Sequence, residues 1–377
     1  MRYRNIPKLG IKVSAFGLGC MRFPMKTTED GKTEVDYPLA ESIIHRAVDG
    51  GVNYLDTAFV YSNGQNEDVV GRALQGGYRE KVYLATKLPT WQCEKTQDMY
   101  DLFEKQLKAL RTDHIDFYLI HSLSADKWDK MKEIGVREFL DELKAKKLIR
   151  YACFSFHDSY EAFEHILNDY DWDMCQIQFN ILDVNNQAGL KGLKLAGSKN
   201  IPVVIMEGLL GGKLASVPDT VQAVYDSYSE KRSAAEWAFR WLCNFDEVAT
   251  VLSGVTDINM TEDNLRIFDR VYAGCMSDEE LQIIDKAREE YQKRLKIGCT
   301  GCRYCMPCPQ GVDIPGIFSI WNDSYKFNRQ EEGKHRYASL SEANRASMCV
   351  GCGACQSVCP QNLSIPEKLR EAETELS

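Results

Sequence analysis

Short apolar segments recur along residues 13–254, and polar or amphipathic segments separate them. The apolar segments are rich in β-branched and aromatic residues, and several are nearly continuous, which is typical of strands buried on both faces. The pattern predicts eight strands, over residues 13–20, 52–58, 81–87, 114–121, 149–155, 174–180, 201–207 and 248–254. Strands of this kind are expected in a parallel sheet whose faces are covered by helices.

The segments between these strands carry helical patterns. In residues 38–51, Pro38 stands where a first helical turn begins, and a glycine pair stands where the helix ends. Residues 95–111 and 231–245 have apolar side chains at three- and four-residue spacing, the period of an amphipathic helix. Strands that alternate with helices in this way favour an α/β fold, a (β/α)8 TIM barrel, over an open sheet.

The chain changes character after the eighth predicted strand. Residues 207–230, which follow the seventh strand, form a longer connection than usual, and such loops often cover a binding site. A polar segment with helical periodicity, 277–296, then leads into a cysteine-rich tail. We therefore predict a barrel domain over residues 1–294 and a small second domain over residues 295–377.

Composition and charge narrow the class of protein. Hydrophobic residues make up 44% and charged residues 27%, which is normal for a soluble globular protein. The formal net charge is −9 and no basic cluster is present, which argues against a nucleic-acid partner. No apolar segment has the length of a membrane span, and the N-terminus lacks a secretory pattern, so we expect a cytoplasmic protein without a membrane partner.

Fourteen cysteines in such a chain favour metal or redox chemistry over disulfides. Eight of them form two runs in the tail, "CTGCRYCMPCP" (299–309) and "CVGCGACQSVCP" (349–360). The second run has the C-x2-C-x2-C-x3-C-P spacing of bacterial ferredoxins, and the first is one residue shorter in its last gap. The remaining six are expected to be buried thiols without a catalytic role: Cys20, Cys93, Cys153, Cys175, Cys243 and Cys275.

The tail resembles a two-cluster ferredoxin-like α+β domain with about 40 residues inserted between its motifs. In such domains the fourth cysteine of each run ligates the other cluster. The resemblance implies one [4Fe-4S] cluster on Cys299, Cys302, Cys305 and Cys359, and a second on Cys349, Cys352, Cys355 and Cys308. Zinc is the alternative for C-x2-C pairs, but the proline after each fourth cysteine favours iron–sulfur clusters.

Four polar residues stand at or just after the ends of predicted strands, where a barrel carries its chemistry. Asp56 ends "NYLD", Tyr61 follows five residues later, Lys87 ends "YLATK" and His121 ends "YLIH". This order resembles the catalytic tetrad of the aldo-keto reductase family. The further motifs "GLGCM" (17–21), "NEDVVGRAL" (66–74), "SFH" (155–157), "QFN" (178–180) and "EDN" (262–264) are also similar to that family.

The resemblance implies a carbonyl reductase or alcohol dehydrogenase with a small-molecule substrate and an NAD(P)H cofactor. Tyr61 is then the general acid, and a nearby Lys87 cation is expected to lower its pKa while Asp56 holds the lysine. His121 is expected to orient the substrate carbonyl. The resemblance implies cofactor contacts at Gly19, Met21, Ser155, Gln178, Leu209, Gly211 and Asn264.

The sequence departs from the family at three cofactor positions. Met206 stands where an aromatic side chain often stacks on the nicotinamide. Met260 and Gly254 stand where a basic pair often binds the 2′-phosphate of NADP. Because the arginine is absent there, the choice between NAD and NADP is left open.

The functional hypotheses differ in how the clusters are used. In the first, the barrel transfers hydride with a nicotinamide, and the clusters are structural, sensory or supplied through a partner. In the second, the clusters exchange single electrons through a flavin or a partner protein. A non-enzymatic redox sensor is a third. Trp91 and Trp128 are interpreted either as an aromatic wall of the substrate pocket or as helix-packing residues.

Overall fold

A computed structural model describes all of residues 1–377. Twelve strands occur, and four of them form two antiparallel hairpins outside the barrel. The first hairpin pairs β1 (Tyr3–Ile6) with β2 (Ile11–Ser14), and the second pairs β4 (Met25–Thr27) with β5 (Thr33–Val35). The sequence pattern predicted neither hairpin. It also predicted a single strand over 13–20, which the structure divides between β2 and β3 (Phe16–Gly19).

Eight parallel strands form a closed barrel, and all eight predicted strands are confirmed with shifted ends. After β3, the barrel strands are β6 (Tyr54–Asp56), β7 (Tyr83–Leu88), β8 (Ile115–Leu123), β9 (Ile149–Phe156), β10 (Met174–Gln178), β11 (Val203–Met206) and β12 (Val248–Ser253). β12 pairs with β3 and β9 pairs with β10, which closes the ring. The predicted TIM barrel is therefore confirmed.

Helices lie between the barrel strands and after the last of them, as the amphipathic pattern predicted. They are α1 (Tyr37–Asp49), α2 (Asn66–Ala73), α3 (Thr96–Leu110), α4 (Ala125–Glu133), α5 (Val136–Ala145), α6 (Tyr160–Asn168), α7 (Gly189–Ser198), α8 (Asp219–Asp226), α9 (Ala234–Cys243), α10 (Ile258–Phe268) and α11 (Asp278–Lys293). None of the helices in the chain combines the length and apolar character of a membrane span.

Helix α1 shows how local sequence sets these elements. The Asp36 carboxylate accepts a hydrogen bond from the Leu39 backbone N–H, and Pro38 lies in the first turn, where no intrahelical donor is needed. Ile43 and Ala47, one turn apart, are fully buried on the face that covers the barrel. Truncating Ile43 to alanine would cost about 2–5 kcal/mol through lost burial and the cavity left behind.

The first hairpin fills the end of the barrel opposite the strands' carboxyl ends. Ile6 and Val13 belong to the same buried cluster as Tyr54 and Phe117 of the barrel interior. Because parallel strands end on the same side, the residues at their carboxyl ends meet at the other, open mouth. That arrangement brings Asp56, Lys87 and His121 together.

The chain separates into two compact units: Met1–Gly212 with Ala235–Asp278, and Lys213–Ala234 with Glu279–Ser377. The second unit includes the segment that follows β11 and the whole cysteine-rich tail. Its tail helices are α12 (Ile314–Lys326), α13 (Gln330–Ala338), α14 (Ala354–Ser357) and α15 (Ile365–Leu376). The predicted boundary at residue 294 stays a prediction.

The tail has an apolar core of its own. Phe318 and Trp321 of α12 pack with Leu369 and Leu376 of α15, all four nearly inaccessible to solvent. No strand occurs after Ser253, so the strands expected of an α+β tail are absent. Loops carry the first cysteine run, and the second run also lies in loops except for Cys355, which belongs to α14. The local reason is that both runs turn repeatedly, with left-handed backbone at Gly301, Arg303, Gly351 and Gly353.

Candidate active site and cysteine-lined cavities

Lys87 is the centre of the polar cluster at the open mouth of the barrel. Only 1% of its side chain is exposed. Its ammonium donates to Asp56 Oδ1 at 2.6 Å, to the Thr57 carbonyl at 2.8 Å and to the Tyr61 hydroxyl at 3.1 Å. All three donors of the ammonium are therefore used inside the protein, which fixes its position.

These contacts decide the charge of Lys87. Burial acts to lower the pKa of the ammonium, but the adjacent Asp56 carboxylate and Tyr61 outweigh it, and the net pKa is raised. Lys87 therefore stays a cation at neutral pH. A buried cation of this kind is tolerated because its counter-charge lies at hydrogen-bond distance.

Asp56 is itself held from the opposite side of the barrel. Its second oxygen, Oδ2, accepts a hydrogen bond of 2.9 Å from Nε2 of Gln176 on β10. Gln176 is buried and lies 120 residues from Asp56 in sequence. The sequence prediction missed this residue. The available signal was a second glutamine two positions before Gln178, since residues i and i+2 of a strand share a face.

Tyr61 lies on a short turn between β6 and α2 whose next two residues have left-handed backbone, Ser62 with φ 50° and Asn63 with φ 55°. The buried Asn66 side chain secures this turn by donating to the Cys20 carbonyl at 2.7 Å and to the Ser62 hydroxyl. The Tyr61 ring meets the His121 ring edge to face, with centroids 6.1 Å apart.

The pKa of Tyr61 differs from the expectation. Burial of the phenol raises its pKa, and the Lys87 ammonium counteracts only part of that rise, so the net pKa lies above the ordinary value of 10. The lysine does act in the expected direction, but desolvation of the phenolate is the larger effect. Tyr61 is therefore a protonated donor throughout the neutral range.

His121 is neutral in this environment. Burial, followed by the positive charges of Lys87 and its neighbours, lowers its pKa to about 3. Its Nδ1 atom is buried without a hydrogen-bond partner. The imidazole therefore offers a neutral polar edge to whatever occupies the mouth.

The two tryptophans considered for the pocket wall have different roles. Trp128 is fully buried and donates its indole N–H to Asp169 at 2.7 Å, so it is a packing residue. Trp91 is 48% exposed, and its ring centroid lies 5.2 Å from that of His121. Only Trp91 therefore stands beside the tetrad.

Two of the predicted cofactor contacts, Gln178 and Ser155, are engaged within the protein. Gln178 donates from Nε2 to Asp183 at 2.9 Å and accepts from the Asn186 side chain at 3.1 Å. The Ser155 hydroxyl accepts a hydrogen bond from the Ser122 backbone N–H, which leaves its own proton free to donate. Ser155 is thus ready for a ligand, whereas Gln178 must exchange partners to bind one.

Arg22 lies between two loops at the mouth, and the sequence prediction did not include it. Its guanidinium approaches the Gly211 carbonyl at 3.4 Å, and its aliphatic part lies against Gly254. A Cβ atom at Gly211 would stand 2.8 Å from Arg22 Nη2, so glycine makes this approach possible. The guanidinium has no carboxylate partner and suits an anionic group such as a dinucleotide phosphate.

The remaining predicted cofactor positions surround the same mouth. Gly19 ends β3, and the exposed Met21 follows it. Asn264 of α10 is buried and donates to the Ser253 hydroxyl at 3.0 Å. Leu209 lies in the loop after β11 together with Gly211.

Two cavities in the tail are lined by the cysteine runs. One is lined by Cys299, Cys302, Cys305 and Cys359, and the other by Cys305, Cys308, Cys349, Cys352 and Cys355. No three metal-binding side chains converge closely enough to hold a single ion. Four thiols arranged around a cavity are instead the donor set of an iron–sulfur cluster.

The other six cysteines are free and buried in the barrel unit. Burial raises the pKa of Cys93 to about 11, and it raises that of Cys20 and Cys175 further. These three thiols are inert at neutral pH, because the thiolate is the reactive form.

Comparison with known families agrees with these two regions. A model of the aldo/keto reductase family matches residues 15–289, and a model of the 4Fe-4S dicluster domain matches residues 298–363. The first match alone covers more than half of the chain.

Among individual proteins, the chain is 27% identical over 314 residues to the uncharacterized oxidoreductase YqkF of Bacillus subtilis, covering 75% of this chain and 95% of that protein. The aldo-keto reductase YhdN of the same organism is 34% identical over 131 residues, 32% of this chain and 38% of that protein. The holo form of aldo-keto reductase AKR11C1 from Bacillus halodurans superimposes with a TM-score of 0.63 at 26% identity, covering 76% of this chain and 96% of that one.

An aldo/keto reductase from Klebsiella pneumoniae, in complex with NADP and acetate, has a TM-score of 0.57 at 22% identity over 74% of this chain and 92% of that one. At that identity the likeness concerns the fold alone. The family model over residues 15–289 and the domain model over residues 298–363 establish the class of oxidoreductase. The chain belongs to the aldo/keto reductase family and carries a C-terminal 4Fe-4S dicluster domain.

Proposed function

We propose that the barrel reduces a small carbonyl compound by hydride transfer from NAD(P)H, or oxidises the corresponding alcohol, with Tyr61 as general acid. The observation that carries this proposal is the Lys87 ammonium, which joins the Asp56 carboxylate and the Tyr61 hydroxyl at 2.6 and 3.1 Å. A nicotinamide cofactor, when bound, supplies the hydride. The chain's own residues supply the proton and the charge stabilisation.

The tetrad divides these tasks. Tyr61 holds the proton on its hydroxyl, because its raised pKa keeps it protonated. As negative charge develops on the substrate oxygen, the proton moves from Tyr61 to that oxygen, and the Lys87 cation stabilises the phenolate left behind. Neutral His121 orients the carbonyl from the other side. A positioned acid of this kind is worth roughly 10²–10⁴ in rate.

The cofactor is proposed to lie across the loops after β3, β11 and β12. Arg22 would hold a phosphate there, in place of the basic pair replaced by Met260 and Gly254. Ser155 would hold the nicotinamide carboxamide through its free hydroxyl proton. The other contacts proposed are Gly19, Met21, Gln178, Leu209, Gly211 and Asn264. A charge at Arg22 serves either NAD or NADP, and binding measurements decide between them.

The tail is proposed to hold two [4Fe-4S] clusters with exchanged fourth ligands. The first cluster would use Cys299, Cys302, Cys305 and Cys359, and the second Cys349, Cys352, Cys355 and Cys308. The lining of the two cavities supports this division, since Cys359 borders the first run and Cys308 borders the second. Cytoplasmic location is part of the proposal, because reduced thiols and such clusters belong to a reducing compartment.

A second function is favoured by one observation in the tail. Cys305 borders both cavities, so the two proposed clusters would adjoin and could relay single electrons. That function requires a flavin or a partner protein, because a nicotinamide transfers its two electrons together. It is tested by driving turnover anaerobically with a low-potential one-electron donor and no nicotinamide. Unchanged donor-driven turnover after serine replacement of Cys355 would exclude it.

The principal proposal is tested with the anaerobically purified full chain and a panel of aldehydes and ketones. Oxidation of NADPH or NADH is expected, and Tyr61→Phe is expected to lose at least about 100-fold in kcat. Tyr272→Phe is the matched control, since Tyr272 is 56% exposed. Full activity in Tyr61→Phe would overturn the assignment of the acid.

A further inference from the structure

We propose that the substrate of this site carries a carboxylate near its carbonyl, and that Lys127 binds that carboxylate. The proposal rests on the carbonyl reduction proposed above and names its substrate class: short oxo acids or aldehyde acids. Hydride and proton are added across the C=O bond as before, and the carboxylate is unchanged.

Lys127 is held beside the tetrad by the backbone that follows His121. It lies in the first turn of α4, and its ammonium donates to the Ser122 carbonyl at 2.8 Å and to the Ser122 hydroxyl at 3.3 Å. Ser122 is the residue directly after His121 and has a left-handed φ of 54°. This turn of the backbone brings the ammonium to the side of the imidazole.

The ring of Trp91 lies close to both Lys127 and His121 at the mouth of the barrel. The Lys127 ammonium lies 5.9 Å from the centroid of the Trp91 ring, and that ring lies 5.2 Å from the His121 ring. Trp91 comes from the loop after β7, whereas Lys127 comes from the loop after β8. Two neighbouring barrel loops therefore present an exposed indole and a cation next to the imidazole that orients the carbonyl.

The charge of Lys127 is not neutralised by the protein. An ammonium has three donors, and both of the contacts that Lys127 makes are to uncharged oxygens. The nearby Asp158 carboxylate is used by the backbone N–H groups of Ala125 and Ser159. One donor of Lys127 remains for a ligand.

The other lysines of the same helix show the contrast. Lys130 pairs with Glu94 at 2.9 Å, and Lys132 pairs with Asp129 and Asp169 at 2.9 and 2.8 Å. Lys127 alone among the three has no carboxylate within ion-pair distance. It is also the one of the three that neighbours the tetrad.

The surrounding groups make the mouth favourable to an anion. The pKa of His121 is lowered by burial and then by the positive charge of Lys87, and Lys127 acts in the same direction, so both lysines act on the same small volume. The one carboxylate of the tetrad, Asp56, is neutralised by Lys87. A substrate carboxylate would add the missing negative charge. The buried Nδ1 of His121 has no hydrogen-bond partner in the protein, which fits a mouth that takes up a polar ligand.

Matched substrate pairs test the proposal. We compare 4-carboxybenzaldehyde with 4-nitrobenzaldehyde, and succinic semialdehyde with butyraldehyde, in the wild type, Lys127→Met and the control Lys130→Met. Lys127→Met is expected to raise KM for the two carboxylates by roughly 10- to 100-fold, with kcat and the neutral aldehydes nearly unchanged. Lys130→Met should match the wild type on all four compounds, and Lys127→Arg should keep part of the preference.

Binding measurements separate this proposal from the proposed reaction. Calorimetric titration with benzoate requires no turnover, and Lys127→Met should bind it roughly tenfold or more weakly than the wild type. If no aldehyde is reduced but this difference is found, the carbonyl-reductase function fails and the anion site stands. Equal benzoate affinity in wild type and Lys127→Met, or equal losses for charged and neutral aldehydes, overturns the proposal.

Discussion

The two chemical regions of this chain are built in opposite ways. In the barrel, Lys87 is 1% exposed and makes three contacts with other residues of the chain, so the tetrad is assembled before any ligand arrives. In the tail, Cys302 and Cys352 are exposed, and the other six thiols lie half-buried at the edge of a small apolar core. The protein alone positions the first site, whereas the second requires its metal to be complete.

Removing the Lys87 cation tests whether the tetrad is held together by the protein itself. Lys87→Met leaves the buried Asp56 carboxylate unpaired, which costs about 3–5 kcal/mol of unfolding free energy. The rate of carbonyl reduction should fall by at least about 100-fold, because the phenolate of Tyr61 loses its stabilisation. Chemical denaturation and steady-state kinetics measure the two effects. Lys81→Met, which removes an exposed ion pair with Asp49, should change neither by a comparable amount.

Removing a cysteine from the tail tests whether only the second site depends on its metal. Cys355→Ser should lose roughly half of the bound iron and destabilise the tail, since cluster binding and folding are coupled. NAD(P)H-dependent carbonyl reduction by the barrel should stay within about tenfold of the wild type, because a preformed tetrad gains little from the metal. Iron analysis, visible absorption and kinetics give the answer. Cys275→Ala is the control thiol. A Cys355→Ser protein that loses both its iron and its carbonyl reduction would contradict the independence of the barrel site.

A third test removes the positive charge of Arg22 from the loops proposed to bind the cofactor. Arg22→Met should weaken dinucleotide binding by roughly 10- to 100-fold, because a charge-assisted contact to phosphate is lost. Fluorescence titration with NADH and with NADPH measures this directly. A larger loss for NADPH would identify the 2′-phosphate as the bound group, and equal losses would indicate the pyrophosphate. Unchanged affinity for both cofactors would remove Arg22 from the site.

A fourth test removes the hydrogen bond that Gln176 donates to Asp56 from the opposite side of the barrel. Gln176→Leu removes the hydrogen bond to Asp56 Oδ2 and leaves a buried carboxylate oxygen unsatisfied, which costs about 1–3 kcal/mol. As a positioning residue, Gln176 should affect kcat by roughly tenfold while KM changes little. Gln176→Glu is a poor replacement, since it places a second carboxylate beside Asp56. A Gln176→Leu enzyme with an unchanged kcat and pH profile would contradict this role.

The rate constant of reduction is expected to depend little on pH. Tyr61 donates its proton only while protonated, and its raised pKa keeps it so up to about pH 10. His121, with a pKa of about 3, stays neutral above about pH 4. The rate constant of reduction should therefore be flat between about pH 5 and 9. A rate that changes tenfold across about pH 6.5 would show that His121 titrates as an ordinary histidine.

His121 also makes the stability of the folded protein depend on pH. Its folded-state pKa is lowered, so the unfolded chain binds an extra proton between about pH 6.5 and 3. The contribution of neutral His121 to stability is therefore full above pH 6.5 and is lost as the pH falls towards 3. His121→Gln should show a shallower loss of stability over that range in denaturation measurements.

The features that could be predicted from the sequence are those that depend on local patterns. The barrel followed from alternating apolar strands and amphipathic helices, and the placement of Asp56, Lys87 and His121 followed from their positions at strand ends. The two cysteine runs were visible from their spacing. Each of these features depends on residues that are close together in the chain.

The sequence did not reveal contacts between distant segments. Gln176 and Asp56 meet across the barrel although 120 residues separate them, and Arg22 reaches Gly211 over 189 residues. The net direction of the Tyr61 pKa depends on how deeply the phenol is buried, which no local motif states. Trp91 and Trp128 likewise differ in burial and in their contacts, so that one borders the site and the other packs a helix.

We propose that the barrel transfers hydride to the substrate and that the tail clusters do not supply its electrons. This proposal is tested by reducing an aldehyde anaerobically with NAD(P)H that carries deuterium at the transferable C4 position. We expect the alcohol carbon to carry one deuterium and the cluster absorption to stay unchanged during turnover. An alcohol without deuterium, formed together with bleaching and recovery of the cluster absorption, would contradict it.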